Sequence, residues 1–132
     1  MARRWGRLEA PADWAREVPY DIRERSFQFA VEVIRAVRRL PSDPATRVVA
    51  HQLVKAATSV GANVEEADGA ESRRDFIHKL SIARKEARET RYWLRLVRVS
   101  VPHDEWASLQ GESEKITRII SAIIRSRQRH AQ

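Results

Sequence analysis

Residues 59–70, SVGANVEEADGA, sit in a run whose apolar positions recur at helical spacing, yet they put Gly61 and Asn63 where a helix interior is expected. Two readings compete. A glycine turn cradling a phosphate would make the segment a loop, whereas small residues placed for close approach would make it a packing surface. A phosphate loop needs a preceding strand and a helix N-terminus aimed at the ligand, and the sequence offers neither. Gly61 instead continues a seven-residue spacing of small and apolar positions, and its neighbours keep the 3.6-residue period. A mid-helix glycine is then explained by another backbone coming close. The stretch reads as helix.

Working outward, the same periodicity fills most of the chain. Asp21 with Glu24 is a capping-box pattern, followed by Phe27, Ala30, Ile34 and Val37 at helical spacing. Asp43-Pro44 opens a second helix, with Pro44 where a missing N–H is harmless. That helix shows one face of Val49, Leu53, Ala56, Val60, Asn63 and Ala67, and a second of Ala50, Val54, Ala57, Gly61 and Val64. Ser72 with Asp75 caps a third helix that runs to Val101-Pro102. Asp104 is positioned to cap a fourth, carrying Leu109, Ile116, Ile119 and Ile123, in which Gly111 is a candidate break. Four helices with short connections make an all-α fold, an antiparallel up-down-up-down four-helix bundle over residues 21–132, preceded by an irregular arm at residues 1–20 with Trp5 and Trp14.

Composition narrows the function classes. The 132 residues suit one domain, and 42% hydrophobic with 33% charged residues is an ordinary globular balance. There is no cysteine, which excludes disulfides, zinc–thiolate sites and a thiol nucleophile and fits a cytoplasmic protein. The opening MARRWGRLEA lacks the apolar core of a signal peptide, and no run is long enough to span a membrane. A net charge of +7 points to an acidic partner, nucleic acid first.

That charge is concentrated. Residues 72–101 hold nine basic and three acidic side chains. On a helical projection Phe76, Leu80, Ala83, Ala87, Leu94 and Val97 form the core stripe. A quarter turn away lie Arg84, Arg88, Arg91, Arg95 and Arg98. None of the five has a carboxylate three or four residues away, so pairs within the helix cannot neutralise them. Either they are solvated or paired with Glu65, Glu66, Asp68 and Glu71 of the second helix, or they form a ridge for phosphates. Arg125, Arg127 and Arg129 extend the basic surface at the fourth helix's end. On the other flank of the third helix Ile82, Trp93 and Leu96 form a second apolar patch, an expected subunit interface in a homo-oligomer.

Chemistry is sparse. Di-metal bundles use Glu-x-x-His on two helices, and the sequence has one Asp75-x-x-His78 and no Glu-x-x-His, so no metal or cofactor is expected. Glu86 and Glu89 could work as an acid/base pair only in a cleft. No triad order, Walker motif or dinucleotide fingerprint occurs. An enzyme is not expected. The rival to nucleic-acid binding is a protein–protein adaptor docking an acidic partner.

The central 40 residues also resemble a known family. The pattern S-x-G-A-N, E-A, S-x-x-D-F and K-E-A-x-E-T-x-Y-W-L falls on Ser59, Gly61, Ala62, Asn63, Glu66, Ala67, Ser72, Asp75, Phe76, Lys85, Glu86, Ala87, Glu89, Thr90, Tyr92, Trp93 and Leu94. It is similar to the bacterial four-helix-bundle proteins first noted within intervening sequences of large-subunit ribosomal RNA genes. The resemblance implies a ring-like homopentamer. It also implies kinship with the basic, nucleic-acid-binding accessory proteins of diversity-generating retroelements, whose partner is a reverse transcriptase. It supplies no catalytic residues, and it assigns Asn63, Glu66, Glu86 and Glu89 to a shared internal polar network.

Overall fold

Asp43 and Ser72 start two helices as their sequence context predicts. The Asp43 carboxylate accepts from Thr46 N at 2.9 Å, and Ser72 Oγ accepts from Asp75 N at 3.0 Å. The computed structural model describes residues 20–130, apart from the side chains of Tyr20 and His130. The arm with Trp5 and Trp14 lies outside the described residues. Four helices result: α1 (Tyr20–Val37), α2 (Pro44–Asp68), α3 (Arg73–Ser100) and α4 (Asp104–His130). Each packs on the next in chain order, and α4 closes back on α1. Short connections force antiparallel neighbours, and the arrangement is an all-α four-helix bundle.

Two caps differ from expectation. Helix α1 begins at Tyr20, so Asp21 lies in its first turn instead of capping it. At α4 the cap is His103, whose Nδ1 accepts from Glu105 N at 3.3 Å, and Asp104 is already helical. Gly111 does not break α4. It has open space around it, and its cost is the backbone freedom it loses, about 1 kcal/mol relative to alanine.

The core is built from Phe76, Leu80, Ala83, Ala87, Leu94 and Val97 of α3, as the sequence predicts, and from Leu53, Val60 and Val64 of α2 and Trp106, Ile116 and Ile120 of α4. In α1 the buried stripe is Ile22, Ser26, Phe29, Val33 and Ala36, and Phe27, which opens the apolar row noted in the sequence, is 59% exposed. The helix is apolar on more than one face, so spacing alone does not fix its rotation. Ser26 enters the buried stripe because its hydroxyl donates to Ile22 O at 2.7 Å, within its own helix.

Gly61 does what its position implies. A methyl group there would meet the α1 backbone at Ser26 O, 3.6 Å away, and at Phe27 N, 3.8 Å away. The two helices cross closely at this point, and alanine would fit in ordinary contact. Further toward the start of α1 and the end of α2, the two helices are tied by Arg23 and Asp68, 3.0 Å apart, with side chains only 10% and 9% exposed. The α1–α4 seam is the thinnest in the bundle. Ion pairs cross it at Arg25–Glu112 (2.5 Å) and Arg39–Glu105, and an open groove lined by Asp21, Glu24, Glu32, Leu109 and Gly111 runs beside them.

Candidate nucleic-acid interface

The core stripe of α3 fixes where its arginines point. With Leu80, Ala87 and Leu94 inward, the ridge a quarter turn away faces the α4 side, as two contacts establish. Arg91 Nε donates to Glu114 Oε2 at 2.5 Å, and Arg98 Nη1 donates to Gln110 Oε1 at 3.2 Å. Arg88, Arg91, Arg95 and Arg98 are exposed, and Arg84 is half-buried. The second-helix carboxylates do not neutralise this ridge. Asp68 pairs with Arg23 of α1, Glu65 lines the α1–α2 groove, and no ion pair joins the ridge to Glu66 or Glu71 among the described residues. The physical reason is rotational: α2 flanks the opposite side of α3.

Helix α4 completes the seam. Gln110, Glu114, Arg118 and Arg125 recur at spacings of four, four and seven residues, so they share one stripe facing the ridge. Arg118 and Arg125 are exposed, as is Arg129 beyond them. Arg118, not singled out from the sequence, is placed here by that spacing and by its proximity to Glu114. Arg127 does not join. It follows Ile120 by seven residues, is half-buried, and its Nη1 donates to Ser126 Oγ at 2.6 Å. Among the described residues Arg84, Arg88 and Arg95 form no ion pair with a carboxylate.

Glu114 is the carboxylate within this seam, and its surroundings show the local field. The hydrogen bond from Arg91, then that from Gln110, and the nearby charge of Arg118 hold its carboxyl below the ordinary carboxylate range. A lowered folded value means that its contribution to stability is complete above the ordinary carboxylate pKa and fades as pH falls through the lowered one. Side-chain NMR should therefore find Glu114 titrating below a typical exposed glutamate, and Arg91→Ala should move its midpoint up toward the ordinary value. A midpoint that ignores the substitution would mean the pair does not form in solution.

The other assigned residues fall elsewhere. Asn63 Nδ2 donates to Ser59 O at 2.8 Å within its own helix, and Glu89 accepts from Trp93 Nε1 at 3.2 Å. Glu66 and Glu89 are exposed and Glu86 is half-buried; among the described residues no hydrogen bond joins any two of these four side chains. Ile82 and Trp93 are half-buried, Trp93 packs on the chain's own core, and Leu96 is at the edge of exposure. A more open apolar surface lies between α1 and α2, where Phe27, Ala30, Val31, Ile34 and Ala62 line a groove of about 350 Å³. Among the described residues no three His, Asp or Glu side chains cluster as metal ligands, and no helix is long and apolar enough to cross a membrane.

Comparison with known proteins agrees with the fold. A crystal structure of a protein of unknown function from the S23 ribosomal protein family of Bacteroides thetaiotaomicron is similar, at 36% identity and a TM-score of 0.73. The similarity covers 78% of this chain and 97% of that one. No curated protein matches. Residues 19–122 match the family model described as 23S rRNA-intervening sequence protein. That span takes in three whole helices and most of the fourth, and the chain belongs to the 23S rRNA-intervening sequence protein family.

Proposed function

We propose that the chain is a non-enzymatic, homo-oligomeric protein that binds nucleic acid, RNA in preference to DNA, along the α3–α4 seam. The supporting observation is the row of guanidinium groups at Arg84, Arg88 and Arg95, which have no carboxylate partner among the described residues, with Arg98, Arg118 and Arg125 alongside. Guanidinium matches phosphate in bidentate fashion and carries its charge at any physiological pH. Contacts of this kind hold the backbone and read shape, not base sequence. The family's description refers to a 23S rRNA intervening sequence, and RNA is the first ligand to try. Self-association is supported by the apolar α1–α2 groove, where Phe27 is 59% exposed among the described residues.

Fluorescence anisotropy of nuclease-cleared protein against structured RNA and duplex DNA, at two salt concentrations, is the direct test. Neutralising about six phosphates on a duplex gives a log–log salt slope near −5. The Arg88→Glu, Arg95→Glu double variant should weaken binding of every sequence by about tenfold or more and flatten that slope by about two. Arg91→Ala should do much less, because Glu114 already occupies that guanidinium. Absence of binding at low salt would remove the nucleic-acid reading and leave docking to an acidic protein. Light scattering checks assembly independently, since a solution mass near 15.3 kDa would mean a monomer.

A further inference from the structure

Within the sequence motif, Tyr92-Trp93-Leu94, three neighbouring side chains have three different fates. Leu94 is fully buried, Trp93 is half-buried against the core, and Tyr92 is 52% exposed. Packing therefore accounts for the second and third but gives Tyr92 no place in the core. Its position on α3 supplies another account. Arg88 lies four residues before it and Arg95 three after it, the two spacings at which helix side chains become neighbours. Both arginines are exposed and have no carboxylate partner among the described residues.

The ring is also held. Trp93 meets it edge to face, with centroids 5.0 Å apart and planes at 77°, and Trp93 in turn donates its indole N–H to Glu89 at 3.2 Å. A solitary exposed aromatic needs no explanation. An aromatic braced from one side and bracketed by two cations is the arrangement that binds unpaired nucleotides, with phosphates on the cations and a base on the ring. Val99, 81% exposed and seven residues further on, extends the apolar strip along the same face.

We propose that Tyr92, between Arg88 and Arg95, is a stacking platform for an unpaired base, so that the seam's ligand is a single-stranded or looped segment. The inference rests on the nucleic-acid reading above and goes further by naming the class of ligand. Duplex bases are stacked on each other and offer the ring no face, so a duplex gains only the phosphate contacts. An unpaired strand gains both.

The test compares a short unpaired RNA strand with the same strand annealed to its complement, at one salt concentration, against the wild-type chain, Tyr92→Ala and Tyr92→Phe. The single strand should bind about tenfold tighter than the duplex. Tyr92→Ala should weaken the single strand by roughly five- to a hundredfold, the usual range for one stacked base, and leave the duplex nearly unchanged. Tyr92→Phe keeps the π-face and should keep most of the affinity. A Tyr92→Ala variant that binds both ligands like the wild type, or loses both equally, overturns the platform, while salt-dependent binding sensitive to Arg88 and Arg95 would still uphold the seam. If neither ligand binds, both readings fall together.

Discussion

Asp68→Ala should lower the free energy of unfolding by about 3–5 kcal/mol, the range found when one member of a buried ion pair is removed. The Arg23 and Asp68 side chains are 10% and 9% exposed, so the substitution removes a close counter-charge from a largely desolvated guanidinium. The carboxylate also sits in the last turn of α2, at the negative end of the helix dipole, where a negative charge is otherwise unfavourable. The Arg23 guanidinium at 3.0 Å offsets that cost. Replacing both residues, as in Arg23→Met with Asp68→Leu, should recover most of the loss, because an apolar pair of similar size is often as stable as a buried ion pair. Urea unfolding of the two single variants and the double variant gives the coupling directly. A cost below about 1 kcal/mol for Asp68→Ala would mean that Arg23 swings into water.

Leu94→Ala should cost about 2–5 kcal/mol, as a fully buried leucine does when its cavity cannot collapse. Tyr92→Ala, two residues earlier, should stay within about 0.5 kcal/mol, as an exposed substitution usually does. For a domain of this size the first corresponds to roughly 10 °C in Tm and the second to a change near the error of measurement. The contrast is a test of the rotation of α3, on which the direction of the whole arginine ridge depends. Equal losses at both positions would mean that Tyr92 is covered, by another copy or by the chain outside the described residues, and the ridge would then lie at an interface.

Much of this fold is legible in the sequence where local rules act alone. Asp43 and Ser72 cap their helices because a short side-chain oxygen beside free backbone N–H groups has one good use. The core stripe of α3 is legible because it is the longest apolar row on the helix and one flank of it is basic, so one rotation buries the most apolar surface. In α1 spacing alone does not choose a face: Phe27, Ala30 and Ile34 are as well spaced as Ile22, Phe29 and Val33, and only contact with α2 and α4 distinguishes them. His103 is missed as a cap because imidazole is a rare choice beside an aspartate.

The arginine ridge is visible in the spacing of α3, but its partner is not. Periodicity places a residue on a helix face and says nothing of which neighbour flanks that face. The pairing of Arg91 with Glu114 instead of a second-helix carboxylate, and the entry of Arg118, follow from the handedness with which the bundle turns. Arg127 shows the complementary error, since a basic tail reads as uniform until the helix beneath it assigns angles.

The thin contact between α1 and α4 has a consequence for motion. The first helix is held by its buried stripe from Ile22 to Ala36, the close crossing at Gly61, the buried pair at Arg23 and two ion pairs toward α4. It is, however, the shortest of the four and meets α4 over less length than the other neighbours meet each other. Opening free energies within a protein follow such differences in contact. Hydrogen exchange should accordingly be faster for the backbone amides of α1 than for those of α2 and α3, and a partner seated against α1 should slow it without touching the arginine seam on the far side of α4.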